Sequence, residues 1–430
     1  MASAASGDSL DTNPPDGTPD QPVGSGDRLV SLDFIRGIAV LGILFANIVA
    51  FGHVLMAYSW PGALPQPMSQ ADEAVWLTQY VLIDGKMRGL FSLLFGSGMA
   101  LFVDRAWERG AGRGLQARRL FILMIVGLVH FYFIWWGDIL FLYSVSGFVG
   151  LMFLKWKAGT LIRVGLFWYL LGSLVSAASS GIGAQVERSP PMCEAAPELC
   201  LAFYSQFESA EEDAVLERAA YTQGSYLAEL DFTFTERATL PLLFLFSGIL
   251  EIIPLMLIGM GLYRAGLFSG ALDPRKQRLW GWAGLASGST IMLALGTWAM
   301  REDYPYFLTQ FVFQGGAQAP RLLMILGLAA LLALWAPKAA RGWLGSRLAA
   351  AGRMAFSNYL GTSIVMMFVF RSWAGGQFDQ LGRLELAGVV LAAWVLMLAW
   401  SKPWLARFRY GPLEWLWRCL TYGRLFPLKR

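Results

Sequence analysis

The chain of 430 residues holds two histidines, and one of them, His130, lies inside an apolar run long enough to cross a bilayer. The run is LFILMIVGLVHFYFIWWGDILFL, residues 120–142. Asp138 follows eight residues later, in a two-residue polar break before the next apolar stretch. An imidazole oriented by a carboxylate is what a general base needs. An ionisable group at membrane depth is costly to bury and marks a functional site by default. On one continuous helix, eight residues rise about 12 Å and rotate about 80°, so the two side chains would meet only if the chain turns at Gly137. A plainer reading stands beside this one. Asp138 is a good N-cap for the following helix, and His130 would then be a neutral core histidine bonded to a carbonyl.

Other polar side chains sit within or beside apolar runs. Asn47 lies mid-run, where its amide needs partners inside a bundle, as an interhelical clamp or as part of a polar path. Lys86 and Arg88 precede an apolar stretch and would anchor to headgroups or hold an anionic substrate group. Glu251 lies three residues before Pro254, a carboxylate beside an expected helix break. Asp33 and Arg36 share one helix face and read as an intrahelical pair anchored at the headgroups. His53 reads as interfacial. Cys193 and Cys200 lie in one polar segment and would pair if it faces an oxidising compartment, whereas Cys419 stands alone. The chain contains no P-loop, GxSxG, HExxH or dinucleotide fingerprint, and no metal-type cysteine pair.

The elements that must position these residues are transmembrane helices. Charged residues make up 15% of the chain against about 25% in soluble domains. With a mean hydropathy of +0.49, that composition predicts an all-α polytopic bundle. The net charge of +4 carries no nucleic-acid signal. Residues 1–27 are rich in Pro, Gly, Ser and Asp and predict a disordered tail without the segments of a signal peptide. Ten spans follow, at about 37–56, 89–103, 120–136, 139–154, 164–182, 239–263, 279–299, 322–336, 354–370 and 386–405. The second is expected to start early enough to take in Lys86 and Arg88. The first five form an N-terminal bundle over 28–182. Residues 183–238 form an acidic extracytoplasmic loop. Residues 239–430 hold the last five spans and an amphipathic tail. With the N-terminus inside, 25 of the 34 Lys and Arg residues fall on the inner side, which predicts N-in and C-in.

Several stretches resemble one family. SLDFIRGIAVLGILFANIVAFG, DGKMRGLFSLLFGSGMALF, GLVHFYFIWWGDILFLYSVSG, AGRMAFSNYLGTSI and RYGPLEWLWRCLTYG together are similar to the YeiB-like bacterial inner-membrane proteins, a family with a domain-of-unknown-function label. The resemblance runs from about residue 28 to residue 422 and is weakest over 183–238. It implies a multi-pass inner-membrane protein and draws attention to Asn358 as a substrate contact and to Arg353 and Glu414 as structural residues. The LDFIRG opening is also similar to that of transmembrane acyltransferases, which pass an acyl unit from cytosolic acyl-CoA to an acceptor across the membrane. Asn47 matches an active-site Asn of that group, but the offset of its active-site His lands on Tyr58, so His130 would have to take the catalytic role. The implied function is acyl transfer to a sugar or small-molecule acceptor, with His130 and Asp138 as the catalytic pair and Lys86 and Arg88 on the acceptor. Acyl-CoA would be a co-substrate, with no tightly bound cofactor. The other reading is a small-solute transporter gated through His130 and Glu251.

Overall fold

The computed structural model describes residues 29–108, 110 and 112–430. The tail over 1–27 lies outside these. The described chain is helical, with one isolated β-bridge, Phe408 to Lys429. The helices are α1 (Val30–Gly52), α2 (Gln70–Leu82), α3 (Lys86–Glu108), α4 (Gly114–Phe133), α5 (Leu140–Phe153), α6 (Ala158–Arg188), α7 (Pro190–Ala195), α8 (Pro197–Gln223), α9 (Tyr226–Thr235), α10 (Leu240–Arg264), α11 (Pro274–Arg301), α12 (Tyr306–Gln310), α13 (Gly316–Ala339), α14 (Trp343–Arg353), α15 (Ala355–Phe370), α16 (Arg383–Arg407) and α17 (Pro412–Tyr422). Among the described residues seven helical segments are long and apolar enough to cross a membrane, or eight if the bent α10 counts as one span. Helices α5 and α15 are apolar but shorter, at 14 and 16 residues. At 1.5 Å per residue they fall short of a 30 Å hydrocarbon core.

Helices α1, α3 and α10 form the centre. Two close crossings set their spacing. A Cβ at Gly96 of α3 would stand 2.1 Å from the Met256 carbonyl oxygen, and one at Gly259 of α10 would stand 2.0 Å from that of Leu93. A Cβ at Gly352 of α14 would stand 1.9 Å from the Asp33 carbonyl oxygen of α1. Such backbone approaches let helices pack in a solvent where hydrophobic exclusion cannot drive them together.

The helices differ in several places from the sequence expectations, beginning with the span count, seven or eight among the described residues where ten were expected. Residues 183–238 are not a loop. They form the end of α6 and helices α7, α8 and α9, because their Ala, Glu and Leu content favours helix even where polarity keeps the segment out of lipid. The polar break of Gly137 and Asp138 is two residues long in sequence, but the helix ends earlier, so the turn covers 134–139. Helix α10 runs through Pro254, and its 56° bend falls between Phe246 and Gly248. The stretch before α13 starts at Tyr306 and passes through a π-turn, Phe311–Gly315.

Helices α8 and α9 are tied down by buried ion pairs. Arg237 pairs with Glu217 at 2.8 Å and Asp213 at 3.1 Å. Glu217 also accepts from the Leu55 amide at 2.6 Å. His53 is not interfacial. It is buried, with Nδ1 2.7 Å from Asp379 and Nε2 2.9 Å from the Leu381 carbonyl, and Arg218 donates to the other Asp379 oxygen at 2.6 Å. Cys193 and Cys200 are joined by a disulfide, and Cys419 is free and buried.

Candidate functional site

The turn after α4 brings His130 and Asp138 together. Nδ1 of His130 lies 2.8 Å from Oδ1 of Asp138, with both side chains out of contact with solvent. Oδ2 of the same carboxylate accepts the Phe141 amide at 2.7 Å. Asp138 therefore caps the first turn of α5 and orients His130 at once. A carboxylate only accepts, so Nδ1 carries a proton, and in the neutral ring Nε2 then keeps its lone pair. That Nε2 is buried and has no hydrogen-bond partner among the described residues. Gly127, one turn before His130, makes the approach possible. A Cβ there would stand 2.3 Å from the Phe141 nitrogen and 2.8 Å from Asp138 Oδ2.

Tyr359 of α15 closes the pair on one side. Its ring centroid is 5.3 Å from that of His130. Its hydroxyl donates to the Gly137 carbonyl and accepts the Ile139 amide, each at 3.3 Å. Tyr359, Ile139 and Leu140 also line a cavity of about 360 Å³ that opens at the opposite end of the bundle. His130 and Asp138 do not line it. They sit behind those three residues.

The cavity is two-toned. Its mouth carries Arg36, Arg119, Arg353, Arg409 and Arg418, against the two carboxylates Asp33 and Glu414. Its inner walls are Val40, Ile43, Phe91, Phe95, Leu123 and Tyr143. The Arg119 guanidinium is held between the rings of Phe102 and Trp417, at 4.2 and 4.5 Å. Helix α17 forms one wall and is anchored through Glu414. That carboxylate accepts the Phe356 and Ser357 amides at 2.8 and 3.1 Å and the Ser357 hydroxyl at 2.5 Å, which caps α15. Burial pushes its carboxyl above the usual range, against those hydrogen bonds.

Two helix faces define the cavity. On α1 the lining residues Asp33, Arg36, Val40 and Ile43 repeat at helical spacing, and Asn47 is next on that stripe. On α3, Phe102, Gly98, Phe95 and Phe91 do the same, and Arg88 is next. Arg88 pairs with Glu251 of α10 at 2.6 Å and keeps 36% of its side chain accessible. Tyr143 stacks on Phe91 and Phe95, and its hydroxyl donates to the Arg88 carbonyl at 3.1 Å.

The other expected site residues divide. Asn47 is half-buried and bonds to no described residue, so it is not an interhelical clamp. Asp33 and Arg36 keep their pair at 3.1 Å and line the cavity. Lys86 does not reach the protein surface. It is fully buried, donating to the Tyr80 carbonyl. Asn358 is buried, with its amide engaged inside the bundle. It donates to Ala351 and Ser401 at 3.1 and 3.2 Å and accepts from Trp400 at 3.0 Å. Sequence reasoning did not single out Tyr359 or Tyr143, whose roles depend on contacts between distant helices. The motif stretches AGRMAFSNYL and LYSVSG, which contain the two tyrosines, were the available signal.

The comparisons agree on kinship. A family model described as a protein of unknown function (DUF418) matches residues 262–424, which hold the α15 and α17 walls of the cavity. The Escherichia coli (strain K12) uncharacterized protein YeiB is 30% identical over 406 residues, 93% of this chain and 98% of the relative. The Bacillus subtilis (strain 168) uncharacterized protein YxaH is 30% identical over 418 residues, 95% of this chain and 98% of the relative. No solved structure matches. Collinear over nearly its whole length with these relatives, the chain belongs to the YeiB-like, DUF418-containing family.

Proposed function

We propose that this is an inner-membrane acyltransferase that draws an acyl unit from cytosolic acyl-CoA and passes it to a hydroxyl or amine of an envelope sugar or small molecule. One observation carries the reading: a cavity with an arginine mouth and an apolar interior ends against the residues that enclose the His130–Asp138 pair. An amphipathic anion suits that shape. With the N-terminus inside, the mouth faces the cytosol. Phosphates would meet Arg36, Arg119 and Arg409, while a pantetheine arm and its acyl end would run inward along Phe95, Phe91 and Tyr143. A volume of about 360 Å³ suits the arm and acyl group and leaves the nucleotide at the mouth.

The chemistry assigned to the pair is general-base catalysis. Nε2 of His130 takes the proton of the acceptor O–H or N–H as that atom attacks the thioester carbonyl. The new acyl bond forms, the C–S bond breaks, and the coenzyme thiolate leaves with the proton from the imidazolium. Asp138 holds the ring and balances its transient charge. Because Nε2 is enclosed, the Tyr359 side chain must swing aside for the acyl carbon to arrive. Purified protein in detergent tests this. Saturable acyl-CoA binding with thioester loss that disappears in His130→Ala is the expected result. Folded protein that binds no acyl-CoA at millimolar concentration ends the proposal.

A second reading rests on the stripes that continue past the cavity to Asn47 and the Arg88–Glu251 pair, which would extend a polar path into the outer half. That path would suit a small-solute transporter. Counterflow of solute without acyl-CoA binding would favour it.

A further inference from the structure

Beyond the cavity, several basic side chains are buried with polar atoms left unpartnered. Lys86, Arg321 and Arg383 are each at most 4% exposed. The carboxylate set among them is Asp84, which is also buried and accepts from Gln79 at 3.1 Å. Arg321 donates to the Phe313 carbonyl and Arg383 to the Ala57 carbonyl at 3.4 Å, and each leaves Nε with no hydrogen-bond partner. The Arg321 Nε lies against Gly85, where a Cβ would stand 2.6 Å from it, so only the αL glycine at φ +74° fits there. Next to this group is the Arg88–Glu251 pair, in which Arg88 Nε and Glu251 Oε1 are likewise unpartnered. Tyr58 stands between the two groups, within electrostatic reach of Asp84, Arg321, Arg88 and Glu251, and its hydroxyl bonds to no described residue.

Arg88 Nε, Glu251 Oε1 and Arg321 Nε are thus buried polar atoms without a partner among the described residues. Such atoms cost free energy unless a ligand or water meets them. Arginine forks match oxyanions in geometry as well as in charge. Arg88 supplies access, since it is the partly exposed member and continues the cavity-facing stripe of α3. We infer that Tyr58, Arg88 and Arg321 form a binding site for the oxyanion group of a small solute, a carboxylate or a phosphate, in the outer half of the bundle. The site does not depend on the acyl-transfer reading. For an acyltransferase the anion belongs to the acceptor, and for a transporter to the cargo.

The test is thermal stability of the detergent-purified full chain, titrated with inorganic phosphate and separately with acetate at constant ionic strength. Arg88→Gln combined with Glu251→Gln removes the accessible cation without stranding a buried carboxylate. Arg119→Gln controls for anion binding at the cavity mouth. The expected result is a saturable rise in Tm with at least one anion, abolished in the double variant and retained in Arg119→Gln. If the double variant does not fold, Tyr58→Phe stands in, and its midpoint should move several-fold to higher anion concentration. No saturable rise in wild type with either anion overturns the inference. So does a rise unchanged in the double variant or in Tyr58→Phe, or one lost in Arg119→Gln.

Discussion

Replacing Asp138 with Asn should move a proton on His130 without unfolding the hairpin. In the native protein Oδ1 faces His130 Nδ1 at 2.8 Å and Oδ2 faces the Phe141 amide at 2.7 Å. A hydrogen bond to a charged group is worth about 1.5–3 kcal/mol net. At 1.36 kcal/mol per decade, that biases the neutral ring toward the Nδ1–H tautomer by roughly 10- to 150-fold. Asn offers one acceptor where there were two. Turning its amide nitrogen toward the Phe141 N–H would leave a buried donor unmet, at about 1–3 kcal/mol. The amide oxygen therefore goes to Phe141 and the NH2 to His130. Nδ1 must then accept, and the proton moves to Nε2, where it removes the base. The chain has two histidines, so ¹⁵N-histidine spectra resolve both rings, and His53→Gln assigns the other. The expected outcome is an Nδ1–H ring in wild type and an Nε2–H ring in Asp138→Asn, with stability lowered by about 1–2 kcal/mol. An Nδ1–H ring in the variant, or an Nε2–H ring in wild type, refutes the reasoning.

Gly127→Ala should drive α4 and α5 apart, because its Cβ would stand 2.3 Å from the Phe141 nitrogen; a cost of about 1–3 kcal/mol, read as a lower Tm, is expected from overpacking. Glu414→Ala should lower Tm and weaken acyl-CoA binding together, since it strips the cap from the helix that carries Tyr359. Burial pushes the Glu229 carboxyl up to about 7, against the pull of Arg371 and Trp373. Between its ordinary value and about 7 the folded state holds a proton that the unfolded state has lost, so stability falls as pH rises through that window. Helices α8 and α9 should accordingly be cut faster by protease at pH 8 than at pH 5, and Glu229→Gln should flatten the difference.

The all-helical, apolar character was legible because apolar runs are written locally, whereas the expected ten spans are seven or eight among the described residues, α5 and α15 being too short. The His130–Asp138 pair was half-legible: the spacing forbade contact on one helix, and only the turn ending α4 at Phe133 brings the groups to 2.8 Å. What could not be read lies between distant residues. His53 meets Asp379 across 326 positions, and Arg88 meets Glu251 across 163. These contacts turn an apparent interfacial histidine into a buried tether and give Arg88 an ion-pair partner. Lys86 and Arg88 looked alike in sequence. The start of α3 turns one into the core and leaves the other on the stripe that lines the cavity. The polarity of 183–238 read as a loop because it excludes lipid, yet exclusion from lipid does not prevent a helix.

The central claim is that a cytosol-facing cavity leads acyl-CoA toward the buried pair, and Gly98→Cys in a Cys419→Ser background tests it most directly. Position 98 lies on the cavity wall, with the nearest non-local atom to a new Cβ being the Arg36 guanidinium at 3.8 Å, so the side chain fits. A membrane-impermeant maleimide should label this cysteine in inside-out vesicles and not in right-side-out ones, and acyl-CoA should protect it. Labelling from the outer side alone, or labelling that acyl-CoA leaves unchanged, would contradict the account.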